Sequence, residues 1–227
     1  MKNLFILTLT LFSLPALSQL PSLEAFTNDL EKKEGFLNYY WDEHKGKIYL
    51  EVNNINKEFI YVNYLSAGVG SNDIGLDRGQ IGGTKIIKFM KMGSKILMIQ
   101  PNYKFRAISN NEEEIKSVKD AFAQSVIKGF EIKAQSGNNF IIEITDFLTR
   151  DSHGISSRLS RQKQGSFKIE KSSSSFDKSN SKNFPFNTEL ESLLTFQGEA
   201  NGRWLNSVLP NSKTFSVRTR HSFIALP

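Results

Sequence analysis

Residues 36–52 read FLNYYWDEHKGKIYLEV. Two runs of aromatic and aliphatic residues, 36–41 and 47–52, flank a polar turn around His44-Lys45-Gly46. In the second run Ile48, Leu50 and Val52 alternate with Tyr49 and Glu51, the two-residue period of a strand that buries one face. The stretch predicts a β-hairpin, and its neighbours extend it. Residues 59–65 read as a third strand. Residues 84–90 and 95–100 read as a second hairpin turning at Gly93-Ser94, each arm carrying β-branched and large apolar residues. Residues 140–147 (FIIEITDF), behind the turn Gly137-Asn138-Asn139, and 165–170 are further strands. The stretch through Phe196, Trp204, Val208 and Phe215 returns to strand-like composition. The expectation is an α+β fold, mainly antiparallel β-sheet.

Helical spacing occurs twice. Leu23, Phe26 and Leu30 recur in an amphipathic N-terminal segment, 19–34, which Glu31-Lys32-Lys33 and then Gly35 bring to a stop. The principal packed helix is expected over residues 110–129. Ser109 and Glu112 form an S-x-x-E capping box, Glu113 and Glu114 suit a helix N-terminus, and Ile115, Val118, Phe122 and Val126 make an apolar stripe for the sheet. Gly129 supplies the stop. Residues 172–184 hold six serines among Asp, Lys and Asn, which predicts a mobile loop. Together 35–227 form one β-rich domain.

Residues 1–18 have the parts of a secretory signal peptide: Lys2, an apolar run over 4–14, and the small-residue exit Ala16-Leu17-Ser18. The protein is therefore expected to be exported, to the periplasm or the extracellular space. No later apolar run approaches the ~20 residues a transmembrane helix needs. Without Lys2 the formal charge falls from +6 to +5, and no helix or patch interleaves bases with aromatics, so nucleic-acid binding is not expected.

The chain has no cysteine, which excludes disulfides, thiolate metal sites and cysteine nucleophiles. Its three histidines, His44, His153 and His221, include no pair spaced as in the H-E-x-x-H zinc motif. His44, beside Asp42 and Glu43, reads as part of a solvated turn. His153, in Arg150-Asp151-Ser152-His153-Gly154, lacks a G-x-S-x-G elbow. No catalytic or metal-ligating residue is assigned, and a small hydrolase is disfavoured for want of a compact His/carboxylate group. The basic run Arg150, Arg158, Arg161, Lys163, Lys168 and Lys171 reads as a solvated face, or else as an attraction for an acidic partner.

The most distinctive stretch is 68–80, GVGSNDIGLDRGQ, within a loop spanning 67–83. Loops of that length carry function or disorder. Its glycines suggest a phosphate cradle, but no G-K-[ST] ending follows and the strand-glycine-helix context is missing. The structural reading is that glycines supply turns and that Asp73 or Asp77 pairs with Arg78 or Arg106 to pin the loop, with Gly79 and Gln80 completing the motif. A docking role is the functional alternative.

These residues also carry a family resemblance. Gly35-Phe36, Tyr40-Trp41-Asp42-Glu43, residues 46–51, 58–62 and 70–80 resemble the N-terminal, non-catalytic region of exported bacterial zinc-dependent metalloproteases. The match continues through Gln100-Pro101-Asn102, Phe105-Arg106-Ala107, residues 117–125, Thr145-Asp146-Phe147, Arg150-Asp151, Phe184-Pro185, Asn187-Thr188-Glu189, Leu194-Thr195-Phe196 and His221-Ser222-Phe223. In that family a domain of unknown function precedes a separate catalytic domain with H-E-x-x-H. The resemblance implies an accessory domain here without its protease domain. Its partner would be the catalytic domain, in cis or in trans, and zinc would belong only to that domain. The alternative is a stand-alone exported module that binds a peptide or glycan.

Overall fold

The computed structural model describes residues 20–227. The expected signal peptide, 1–18, lies outside them.

A short helix, α1 (Leu23–Thr27), is capped by the Ser22 hydroxyl, which accepts from Ala25 N–H at 3.2 Å. Residues 31–33, expected to end the N-terminal helical segment, form instead an edge strand, β1 (Glu31–Lys33), and the hairpin expected over 36–52 follows as β2 (Tyr39–Asp42) and β3 (Lys47–Val52). Strand β4 (Glu58–Ala67) alternates buried and half-exposed residues along most of its length. The 68–80 motif then leads to the hairpin β5 (Ile81–Met92) and β6 (Lys95–Gln100).

The principal helix differs from expectation. Helix α2 covers only Glu112–Ala121 and contains no buried residue. Its N-cap is Asn111, whose side-chain Oδ1 accepts from Glu113 N–H at 3.0 Å, while Ser109 Oγ accepts from Asn111 N–H. The chain is already extended at Phe122, and Val126 and Gly129 lie in β7 (Ser125–Ser136), so Gly129 stops nothing. The β-branched Val126, Ile127 and Ile132 and the pairing of β7 with β6 win over the helical period.

Next come β8 (Asn139–Glu143), α3 (Thr145–Leu148), α4 (Ile155–Arg161) and β9 (Gly165–Ile169). The expected strand 140–147 thus breaks at Ile144, and Asp146 and Phe147 turn into α3. The serine-rich stretch is not a loop. After one 3-10 turn at Lys171–Ser173 it becomes β10 (Ser175–Phe184), paired with β11 (Asn187–Ala200). A register shift between Asp177 and Lys182 absorbs its polar residues: the Asp177 carboxylate accepts from Ser179, Asn180 N–H and Asn180 Nδ2. Trp204 and Val208 belong to α5 (Arg203–Val208), before the last strand β12 (Thr214–Ala225).

All pairings are antiparallel, in one sheet ordered β1-β2-β3-β8-β7-β6-β5-β4-β12-β11-β10, with β9 on the far half of β11. The sheet curls until its ends meet. Phe36 N–H donates to Phe184 O at 2.7 Å, Asn183 Nδ2 donates to Lys33 O and Leu37 O, Leu37 N–H donates to Thr188 Oγ1, and Lys178 pairs with Glu31. The result is a nearly closed barrel filled by Leu50, Phe59, Tyr61, Phe89, Phe140, Phe147 and Phe223. Strands β4, β11 and β12 run on past it into a second core, where Leu65, Leu194, Phe196 and Val217 meet Ile155 and Leu159 of α4, Leu205 of α5, and Ile74 and Leu76 of the 68–80 motif. Helix α1 lies on the outer face, Phe26 edge-on to Tyr49 at 5.1 Å.

Candidate functional site

The 68–80 motif is a lid on the second core. Ile74 and Leu76 are completely buried. Each contributes about 1.5–3 kcal/mol as removed apolar surface. Val69 N–H donates to Leu76 O at 2.8 Å, Gly79 N–H to Leu65 O at 2.7 Å, and Leu65 N–H to Gln80 O at 3.0 Å, so the loop closes back onto β4. Arg158 of α4 reaches across to donate to Gly75 O at 2.5 Å. Gly68 is needed because any Cβ there would lie 2.0 Å from Leu76 O, and Gly79 because its φ is +87°.

The expected ionic pin is absent. Among the described residues neither Asp73 nor Asp77 forms an ion pair with Arg78 or Arg106; Asp77 accepts from Gln80 Nε2 at 2.7 Å, and Asp73 is exposed. Apolar burial and backbone hydrogen bonds pin the loop instead, with an arginine from the basic run. Arg158 is therefore not on a purely solvated face, and Arg150 lies over the Phe147 ring at 4.3 Å.

Arg78 and Arg106 separate into two surfaces. Arg106 joins an apolar crevice of about 300 Å³ beneath α2, lined by Tyr103, Phe105, Ile115, Val118 and Phe122, with Glu58 and Lys88 on its floor. Phe105 and Phe122 stack at 3.8 Å, yet both remain exposed, as do Ile115 and Tyr103, and Ile108 is wholly so.

Arg78 and Gly79 instead line an open cleft of about 750 Å³ between the motif, the end of β4, and the outer faces of β12 and β11. Arg218 and Arg220, two residues apart on β12, project into it from one face. At its base is Glu191, only 1% exposed. Arg220 Nε donates to Glu191 Oε2 at 2.6 Å and its Nη2 pairs with the same oxygen, while Arg218 Nε lies 3.5 Å from Oε1. Burial alone would lower the Arg220 pKa, but the hydrogen bond and charge of Glu191 outweigh it and hold the guanidinium above its ordinary value. Asp177 flanks the cleft. Burial would raise its pKa, but hydrogen bonds from Ser179 and Asn180 and the charge of Arg218 keep it lowered. Arg218, Arg220 and Glu191 were not singled out in the sequence reading. The same-face spacing of Arg218 and Arg220 on a strand was the available signal.

The histidines do not converge. His44 is exposed in the β2–β3 turn, as expected. His153 is half-buried, and burial followed by the charge of Arg158 lowers its pKa. His221, completely buried, sits between the barrel and the second core. Its Nε2 donates to Leu148 O at 3.2 Å, so Nδ1 is the unprotonated nitrogen and accepts from Tyr61 O–H at 2.8 Å. This Tyr-His pair is closed to solvent and works as a structural link. Among the described residues no three His, Cys, Asp or Glu side chains are grouped so as to hold a metal ion. No helix among them is long and apolar enough to cross a membrane.

Comparison with known families now adds a boundary. A model described as Domain of unknown function (DUF5117) matches residues 79–227, and one described as Domain of unknown function (DUF5118) matches residues 21–68. The chain belongs to the DUF5117 family. No curated protein and no solved structure gives a significant match. In this DUF5117 chain the two matched segments meet across the 68–80 motif, and β4 of the first pairs on both sides with strands of the second, β5 and β12.

Proposed function

We propose that this chain is the non-catalytic N-terminal accessory domain of an exported zinc-dependent metallopeptidase, docking a separate catalytic domain in cis or in trans. The observation that carries the reading is α2. Isolated helices shorter than ~12–15 residues are marginal in water and draw their stability from tertiary packing. Yet the ten residues of α2 bury no side chain, and Phe105, Ile108, Ile115 and Phe122 form an exposed apolar ledge. A catalytic domain seated on the ledge makes α2 the packed helix that its apolar stripe anticipates. The motif resemblance names the partner, and the N-terminal signal-like segment supports export as the setting.

The test begins with the coding DNA downstream of the Pro227 codon, read in all frames for an H-E-x-x-H helix. When that domain is co-expressed with this chain, Ile115→Glu with Phe105→Asp should abolish co-purification. Absence of the motif from the transcript overturns the cis form of the reading, and failure to co-purify, or a complex indifferent to both substitutions, overturns it whole. A second reading, a stand-alone exported module for a peptide or glycan, is favoured by the open arginine cleft beside the 68–80 motif. It predicts a stable monomer that engages its ligand without any protease domain.

A further inference from the structure

The arginine cleft has a charge imbalance that its own residues do not settle. Three guanidinium groups line it, Arg78 from the loop and Arg218 and Arg220 from β12, against one lining carboxylate, Glu191. The nearby Asp177 carboxylate accepts from Ser179 and Asn180 in the β10 bulge and offsets part of the Arg218 charge, but forms no ion pair with any of the three. Like charges gathered in one concavity repel, and arginine forks match oxyanions bidentately. Glu191 occupies only one edge of each strand arginine. It takes Nε and Nη2 of Arg220 and approaches Nε of Arg218, which leaves Arg220 Nη1 and both Arg218 Nη groups without a hydrogen-bond partner among the described residues. Arg78 has no ion-pair partner there. The buried carboxylate thus holds two guanidinium groups in place with their outer donors free, the preorganisation an anion site requires.

We propose that this cleft binds a dianionic phosphate group, carried by a larger molecule for which the cleft has room. The unfilled outer donors of three guanidinium groups can meet three oxygens of one group, which suits a phosphate better than a two-oxygen carboxylate, and the cluster stays net positive with both Glu191 and Asp177 counted. Gly70 and Gly79 on the rim let an oxyanion approach the backbone without a Cβ in the way. The inference stands apart from the accessory-domain reading, since it concerns a separate surface with no lining residue in common and needs no catalytic domain.

The test titrates the purified chain with inorganic phosphate, and separately with a triglutamate peptide, at constant ionic strength set with NaCl, by calorimetry and amide NMR. Saturable phosphate binding is expected, with shifts centred on residues 66–79 and 218–220. It should weaken at least tenfold in Arg78→Ala and in Arg218→Ala, with circular dichroism unchanged. No saturable binding, or binding equal in both variants and the wild type, overturns the proposal. Tighter binding of triglutamate than of phosphate overturns it too, and reassigns the cleft to acidic peptide side chains.

Discussion

At the scale of single residues, His221 shows how burial turns a titratable group into a pH-dependent support. Burial depresses its pKa from 6.5 to about 3, against the smaller raising effect of the hydrogen bond to Leu148 O. The unfolded chain takes up this proton below about pH 6.5 whereas the folded one refuses it, so the contribution is complete above pH 6.5 and is lost as pH falls toward 3. From this residue alone, stability at pH 4 should be about 3 kcal/mol below that at pH 7. His221→Phe removes the titration. It also leaves Tyr61 O–H and Leu148 O unpaired, a cost of about 1–3 kcal/mol at every pH. Urea unfolding at pH 7, 5.5 and 4 should therefore show a lower but flatter profile in the variant. Parallel profiles would show that His221 is not the titrating group. The sequence assigns His221 no element; it lies in β12, and its burial depends on α3, which brings Leu148 O beside it.

At the scale of elements, the 68–80 motif and the serine-rich strand carry the main corrections. A loop dense in Gly, Asn and Asp invites an ionic explanation, but its two aliphatic residues do the holding. Leu76→Ala should cost about 2–4 kcal/mol. It should also speed amide exchange across 68–80 well beyond any effect of Arg78→Ala, because the Arg78 side chain faces the cleft and not the core. Equal protection of the loop in Leu76→Ala and wild type would contradict this ordering. Residues 175–184 were illegible as a strand for a related reason. Their polar side chains are satisfied by one another in the bulge and by Glu191 N–H, which donates to Ser181 Oγ, so a composition typical of solvated loops closes a sheet edge. The presence of helix α2 was legible, but its cap is Asn111 and not Ser109, and only Ile115 and Val118 of the expected stripe lie in it, because 122–129 carry two competing periods.

At the scale of the molecule, the sheet joins both family segments into one folding unit. Residues 79–227 expressed alone would lack β3 and β4, leaving β8, β5 and β12 with open edges and exposing Ile87, Phe89 and Phe223. That fragment should be insoluble or lack a cooperative transition, whereas residues 20–227 should unfold in one step. A cooperatively folded fragment would separate the segments into two domains. The sequence by itself determined the strand-rich class, the first two hairpins, the solvated turn at His44 and the singularity of the 68–80 motif, because period-two alternation and turn chemistry act over a few neighbouring residues. The tertiary structure alone decided that β4 lies between β5 and β12, that the sheet's ends meet through Phe36 and Phe184, and that Arg78, Arg218 and Arg220 share one cleft. Those arrangements arise from pairings between residues far apart in the chain, and their stabilising burial appears only when the curled sheet forms as a whole.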